Sequence, residues 1–324
     1  MESVALRHRE LVYIRRWNFS RIYLDEPFRP FNLQAPVTPE LLHLTYTLVV
    51  NLSIMTSSIK LSAPLSLTHI GTATALIHLG DDSNPVTLIT DPFFSHAPFE
   101  FDMGLLVLKA SIEPALGLAN LPPIDAVLLS HEDHVDNLDE PGRRLLEGRI
   151  VLTTPDGAKN LAPRPGVKAL QPWETVSIKL QGQTFEVTGT PCVHLPGGEV
   201  TGFILTTESF GKTDGKPNAI FFSGDTIYIP ELAKMKEKYH ISVALLNLGK
   251  ATAPLPTGPL VITMDGAQAV KLFRELGADV LVPMHFESWD HFKEQRENLA
   301  QSFKAEGLDK EVLWLEPGKK TKLV

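Results

Sequence analysis

The chain has 324 residues, carries 30 Lys and Arg against 38 Asp and Glu for a formal net charge of −8, and is 43% hydrophobic. That apolar share excludes a largely disordered chain and suffices for a sizeable core, in one large or two modest domains. The acidic balance, with no Lys/Arg-rich run, argues against nucleic acid or an anionic membrane as the main partner, because both select basic patches. A lone cysteine, Cys192, excludes an internal disulfide and a cysteine-only zinc site, so a reducing, cytoplasmic setting is the default expectation.

Residues 1–54 differ from the rest. Arginines mix with aromatics in RHRELVYIRRWNFSR (7–21), prolines scatter from 27 to 39, and no period of 3.6 or 2 is sustained. The segment reads as an extension, either a poorly ordered arm or residues upstream of a true start at Met55. An amphipathic targeting arm is the third reading, and Glu2, Glu10, Asp25 and Glu26 speak against it. The run LLHLTYTLVVNLSIM (41–55) is shorter than the about 20 apolar residues a bilayer crossing needs, and it contains His43, Thr45, Thr47 and Asn51.

From residue 62 onward, short β-branched runs alternate with turn signals. They predict strands at 65–70, 73–79, 86–90, 125–130, 149–153, 174–179, 184–189, 200–206, 218–223, 242–246, 279–283 and 311–315. Helices are expected at 139–147, 155–161, 230–238, 265–276 and 290–306. The clearest is 265–276, with Asp265 as N-cap, a helical apolar stripe and Gly277 as its stop. The pattern predicts one α/β domain over 55–324, built as two sheets with helices on their outer faces.

Polar clusters follow five of these strands: TDP (90–92), SHEDHVDNLD (130–139), TPCVH (190–194), SGDT (223–226) and PMH (283–285). Side chains at strand ends converge on shared clefts. His131, His134, His194 and His285, with Asp136 and Asp225, make the imidazole and carboxylate set that zinc and similar divalent ions select.

The order and spacing of these clusters resemble the metallo-β-lactamase superfamily. The opening THIGTATALIHL (68–79) and LITDPFFS (88–95) look like its branch of L-ascorbate-6-phosphate lactonases and N-acyl-phosphatidylethanolamine phospholipase D. The resemblance covers about residues 65–320 and implies an αββα sandwich with a metal-dependent hydrolase centre between the sheets. The family's His-x-His-x-Asp-His motif is incomplete here. In one register His131 and His134 fill the first positions, Asp136 the aspartate, and Asn137 stands where the third His belongs. In the other, His131, Asp133 and His134 fill the last three, with Leu129 in place of the first His. The first is preferred, because Ser130-His131 continues its strand without a gap.

Carried over in that register, the resemblance implies one ion on His131, His134 and His194, with Asp225 bridging to a second ion on Asp136 and His285. Asn137 would leave that second position weak or empty. The cofactor is expected to be zinc, one ion or two, with manganese as the alternative. Metal-bound hydroxide would attack, with Asp136 orienting the water or acting as its base. A small-molecule lactone, ester or phosphoester is the expected substrate. The alternatives are a phosphodiesterase or phospholipase acting on larger substrates, and a degenerate binding protein. Thr72, where the branch often has His, is expected to alter the substrate rim.

Other residues carry weaker signals. Asp91 is either an orienting partner for a metal-bound imidazole or an Asp-Pro turn. Trp289 is read as packing beneath a helix capped by Ser288 or Asp290; the alternative has Trp289 walling a substrate pocket that His291 reaches. His69 and His78 are expected to pack or lie at the surface, and Cys192 to be inert. GKTDGKPN (211–218) reads as a hairpin turn, and LPTGPLVITMD (255–265) as a connection that could form one lip of the cleft.

Overall fold

The structure, a computed structural model, describes residues 59–324 apart from 103, 105 and 106. The expected extension over 1–54 lies outside the described residues. The first half of the domain runs β1 (Leu65–Gly71), β2 (Thr74–Leu79), β3 (Val86–Thr90), a hairpin of β4 (Phe99–Asp102) and β5 (Val107–Ala110), β6 (Ala126–Leu128), α1 (Glu140–Leu145), β7 (Ile150–Thr153), α2 (Pro155–Asn160) and β8 (Val167–Ala169). The second half continues with β9 (Thr175–Leu180), β10 (Gln183–Pro191), β11 (Thr201–Thr207), β12 (Lys212–Thr213), β13 (Lys216–Phe222), α3 (Met235–Lys238) and β14 (His240–Asn247). It closes with a hairpin of β15 (Thr252–Leu255) and β16 (Gly258–Val261), then α4 (Gly266–Leu276), β17 (Val280–Met284), α5 (Arg296–Ala305) and β18 (Thr321–Lys322).

Two sheets result, in the orders β18-β1-β2-β3-β6-β7-β8 and β17-β14-β13-β11-β10-β9, with β12 paired beside β13. The period of two along each strand sorts its side chains between a shared inner core and an outer, helix-covered face. Leu88, Ala126 and Leu128 of the first sheet meet Phe203, Leu205, Phe222, Val243 and Leu245 of the second in the inner core. Their neighbours Ile89 and Val127 face outward, against Leu145 of α1 and Leu161 just after α2. On the far side, Phe221, Ala244 and Leu246 pack on Val270 and Phe273 of α4 and on Leu299 and Phe303 of α5. This is the αββα sandwich that the sequence resemblance implies.

Local chemistry explains several boundaries. Asp139 caps α1 through Gly142 N–H, and Asp265 caps α4 through Gln268 N–H. Gly277 ends α4 in the left-handed conformation, with φ 65°. The 211–218 segment forms the expected hairpin between β12 and β13.

Two expectations need correction. The helix predicted over 290–306 begins only at Arg296, capped by Gln295 rather than Ser288 or Asp290. The reason is tertiary: Asp290 N–H goes to Lys109 O, and Lys293 and Glu294 N–H both go to Gly249 O, so these donors hold a loop in place. The strand predicted over 311–315 is a single bridge of Val312 to Leu281, flanked by hydrogen bonds between Leu281 and residues 311 and 313. The β4–β5 and β15–β16 hairpins and the short strands β8, β12 and β18 were not anticipated, because strands of two to four residues carry too little periodicity to read. Among the described residues, no helix is long and apolar enough to cross a membrane.

Candidate metal centre

The parallel pairs β3–β6, β13–β14 and β14–β17 end at one edge of the sandwich. The residues just beyond them, Asp91, Ser130-His131, Asp225, Asn247 and His285, therefore share one neighbourhood, and His194 enters it three residues after β10. His285 sits at φ 56°, a left-handed conformation rare outside glycine, and its N–H is held by Thr72 O at 3.0 Å. Thr72 is itself buried at φ 48° and does not line the cleft, so it braces His285 from below rather than shaping the substrate rim.

The ring nitrogens of His131, His134 and His194 lie within 4.8 Å of one another. His131 Nε2 is 3.0 Å and His194 Nε2 3.3 Å from His134 Nδ1, so three nitrogens face one point. The opposite nitrogens are occupied elsewhere: His194 Nδ1 donates to Ile262 O at 2.7 Å, and His131 Nδ1 contacts Ser130 Oγ at 2.8 Å. Burial, reinforced by His134, pushes His131 well below its usual pKa, and burial lowers His194 against the pull of Asp225. Neutral imidazoles are the form that binds a cation.

Beside this trio lie Asp136, Asp225, His285 and His291. His285 Nε2 is 3.7 Å and His291 Nε2 3.8 Å from Asp136 Oδ2, while His285 Nδ1 is 3.6 Å from Asp225 Oδ1. Burial opposes ionising Asp136, but His285, His291 and His134 outweigh it and hold the carboxyl well below its usual range. Burial likewise opposes ionising Asp225, which the surrounding imidazoles keep low. His285 is raised because the two carboxylates overcome its burial. Among the described residues neither carboxylate has a Lys or Arg partner, and neither His285 nitrogen has a hydrogen bond. Two buried anions faced by imidazoles and, at Asp225, by the Asn247 amide, with no cationic side chain beside them among the described residues, fit a divalent cation, so the donor set suits the metal that the family resemblance implies.

The sequence-predicted residues His131, His134, Asp136, His194, Asp225 and His285 thus lie together. Asp133 is exposed and faces Gly198 outside the cluster. Sequence reasoning missed two contributors. Asn247 donates to Asp225 Oδ1 at 2.7 Å, and it follows an apolar run with no polar cluster to flag it. His291 was weighed as reaching the pocket only in the less favoured reading, yet it lines the cleft. Trp289 does pack, edge-on to Phe93 and Phe99, although beneath no helix. His69 and His78 are buried in the first hairpin, as read. Burial pushes the Cys192 thiol up to about 12, which suits an inert cysteine.

Asp91 is hydrogen-bonded as an orienting partner would be. Its Oδ1 accepts from Ser130 N–H at 2.6 Å, and its Oδ2 accepts from Ser130 Oγ at 2.7 Å and from Asn137 Nδ2 at 3.0 Å. Burial pushes this carboxyl up to about 7 against those hydrogen bonds. Ser130 relays it to His131 Nδ1, which leaves Nε2 aimed at the trio. Asp91→Asn would set an amide N–H against these donors. Zinc affinity should fall about 10–100-fold, read by competition with a chromogenic chelator. Unchanged affinity would make Asp91 a turn residue only.

A cleft of about 130 Å³ covers both clusters. Leu108, Leu195, Ala253, Leu255 and Ile262 form its apolar walls, and no Lys or Arg lines it among the described residues. The 252–262 segment is the lip anticipated for 255–265, folded as the β15–β16 hairpin.

A model described as the beta-lactamase superfamily domain matches residues 87–286, more than half of the chain. The chain belongs to the metallo-β-lactamase superfamily. Among its relatives, the mitochondrial N-acyl-phosphatidylethanolamine-hydrolyzing phospholipase D of Saccharomyces cerevisiae is 25% identical over 230 residues, which is 67% of this chain and 48% of the yeast protein. The chain therefore spans about half the length of that relative. A metal-dependent hydrolase of Methanosarcina mazei is 24% identical over 272 residues, 81% of this chain and 100% of its own length. Among solved structures, isothiocyanate hydrolase from Delia radicum gut bacteria superposes with a TM-score of 0.62 at 19% identity, over 79% of this chain and 98% of its own. That likeness concerns the superfamily fold alone.

Proposed function

We propose that this metal-dependent hydrolase of the metallo-β-lactamase superfamily cleaves a small, largely uncharged ester or lactone, with zinc held by His131, His134 and His194. One observation carries the reading: three imidazoles and two buried carboxylates meet at the floor of an apolar cleft. The volume of about 130 Å³ is close to the roughly 150 Å³ that takes a benzene-sized guest, so the cleft suits a compact acyl group. A phosphoester fits less well, because a phosphate sheds its hydration only against cationic or strong donor groups, and no Lys or Arg stands in the walls. Lys250 and Lys109, each adjacent in sequence to a residue lining the cleft, are paired elsewhere, Lys250 with Asp265 and Glu294 at 3.4 and 3.5 Å and Lys109 with Glu100 at 2.9 Å.

When bound, a divalent ion supplies an acidified water and a Lewis acid for the scissile carbonyl. The chain supplies the rest. His194 and His131 are locked by Ile262 O and Ser130 Oγ, so their free nitrogens need no reorganisation. Asp136, ionised at the cleft floor, accepts a hydrogen bond from the attacking water and orients it. Leu255 and Ile262 exclude bulk water around the acyl group.

A second reading, cleavage of a larger lipid phosphodiester, is favoured by the apolar walls and by the name of the yeast relative. A substrate panel separates the two. Zinc-loaded protein should hydrolyse p-nitrophenyl butyrate or a γ-lactone faster than bis(p-nitrophenyl) phosphate, and chelator treatment should abolish both activities. A preference for the phosphodiester would favour the second reading. Protein that takes up no stoichiometric metal under replete conditions would sink the first.

A further inference from the structure

The motif position that would complete the second cation site is occupied by Asn137, whose side chain is turned away. Its Nδ2 donates to Asp91 Oδ2 at 3.0 Å, and its Oδ1 has no hydrogen-bond partner. An imidazole stands nearby from another part of the chain. His291 is only 8% exposed, lines the cleft, and has no partner at Nδ1. Its Nε2 is 3.8 Å from Asp136 Oδ2, almost the 3.7 Å that separates His285 Nε2 from the same oxygen.

These separations exceed the roughly 2.7–3.2 Å of a hydrogen bond. They are close to the about 3.4 Å between two ligand atoms that each lie near 2.1 Å from one tetrahedral ion. Asp136 Oδ2 thus faces the Nε2 of each of two imidazoles at ligand spacing, with no hydrogen bond to either, while Asp225 approaches His285 from its other ring nitrogen, Nδ1.

The placement of His291 is built into the fold. Its neighbours Asp290, Lys293 and Glu294 spend their N–H groups on Lys109 and Gly249, and Phe292 N–H goes to Trp289 O. Trp289 is clamped between Phe93 and Phe99, and the His291 ring packs on Phe292 with centroids 4.7 Å apart. These anchors are what displaced the start of α5 to Arg296, and they aim the ring at Asp136.

We propose that His291 replaces the imidazole missing at Asn137, and with Asp136 and His285 forms a second divalent-cation site. The inference rests on the first cluster holding a metal, as proposed above. It reverses the expectation that the second position is weak or empty.

The test uses the full chain, stripped by chelator and titrated with Zn(II) and with Co(II), with elemental analysis and the visible Co(II) spectrum as readouts. Wild-type protein should take up two ions per chain. His291→Ala and the bulkier His291→Gln should each retain one ion at the trio and weaken the second by more than about 100-fold, beyond the 10–100-fold typical of an outer partner. Asn137→Ala should still bind two. Thermal melts of the metal-free proteins show whether either His291 variant has lost its fold, and the folded one decides. Two ions bound by that variant with wild-type affinities would overturn the proposal, as would a wild type that stops at one ion in excess metal. Neither result touches the reading of the trio. That reading falls only if wild type binds no ion at all, or if the trio variant His194→Ala binds as many as wild type.

Discussion

His194→Ala protein, purified in excess zinc, is expected to lose the ion at the trio and its hydrolytic activity with it. His194 contributes one of the three converging nitrogens, at 3.3 Å from His134 Nδ1, and its own Nδ1 is committed to Ile262 O. Alanine leaves two imidazoles where a catalytic zinc needs three protein ligands and an open position. Affinity at that point should drop by more than about 100-fold, exceeding the effect of an orienting residue such as Asp91. Stability should change little, since His194 is only half-buried. Elemental analysis checks the first result, and a thermal melt of the metal-free proteins checks the second. An unchanged zinc content would remove His194 from the site and leave the trio without its third member.

Gly224→Ala is expected to produce a large stability loss from a single added methyl. Gly224 lies at φ 57°, and a Cβ there would stand 2.7 Å from Thr201 O and 2.8 Å from Ser130 Cβ. Neither neighbour can yield cheaply. Thr201 N–H is bonded to Ser130 O, and Ser130 Oγ is held between Asp91 and His131. The left-handed conformation costs a non-glycine residue about 1–2 kcal/mol, and overpacking adds about 1–3, for a loss of about 2–5 kcal/mol. Gly148→Ala is the control, because Gly148 has φ 70° with nothing within 4 Å of its added Cβ. Denaturant melts should show Gly224→Ala well below Gly148→Ala, and its zinc affinity should fall because relief of the clash moves Ser130 and hence His131. Equal losses in the two variants would mean that the SGDT turn adapts without strain.

Much of this centre was legible before any fold was known. TDP, SHEDHVDNLD, TPCVH, SGDT and PMH interrupt strongly apolar runs, and a polar cluster at the end of a buried strand has few roles other than function. The Asp265 cap and Gly277 stop were equally plain, because each acts on its own backbone neighbours. What escaped notice acts across the fold. His291 was read through its nearest neighbours as part of a helix, yet its loop is pinned by Lys109 and Gly249, distant in sequence. Thr72 was placed at the rim, whereas its carbonyl supports His285. The hairpins at 99–110 and 252–261 form two walls of the cleft region, and each is too short for periodicity to reveal.

The amino-acid order alone determined a strand-rich plan of two helix-covered sheets and the residue types available for a cation, because strand periodicity, capping and side-chain chemistry are local properties. Only the tertiary structure decided which of the eleven histidines meet. His131 and His134, His194, and His285 and His291 come from three segments far apart in the chain, and the distances between them depend on the register of two packed sheets and on loops anchored to remote backbone. Such geometry is a property of the assembled fold, which no single stretch of sequence supplies by itself.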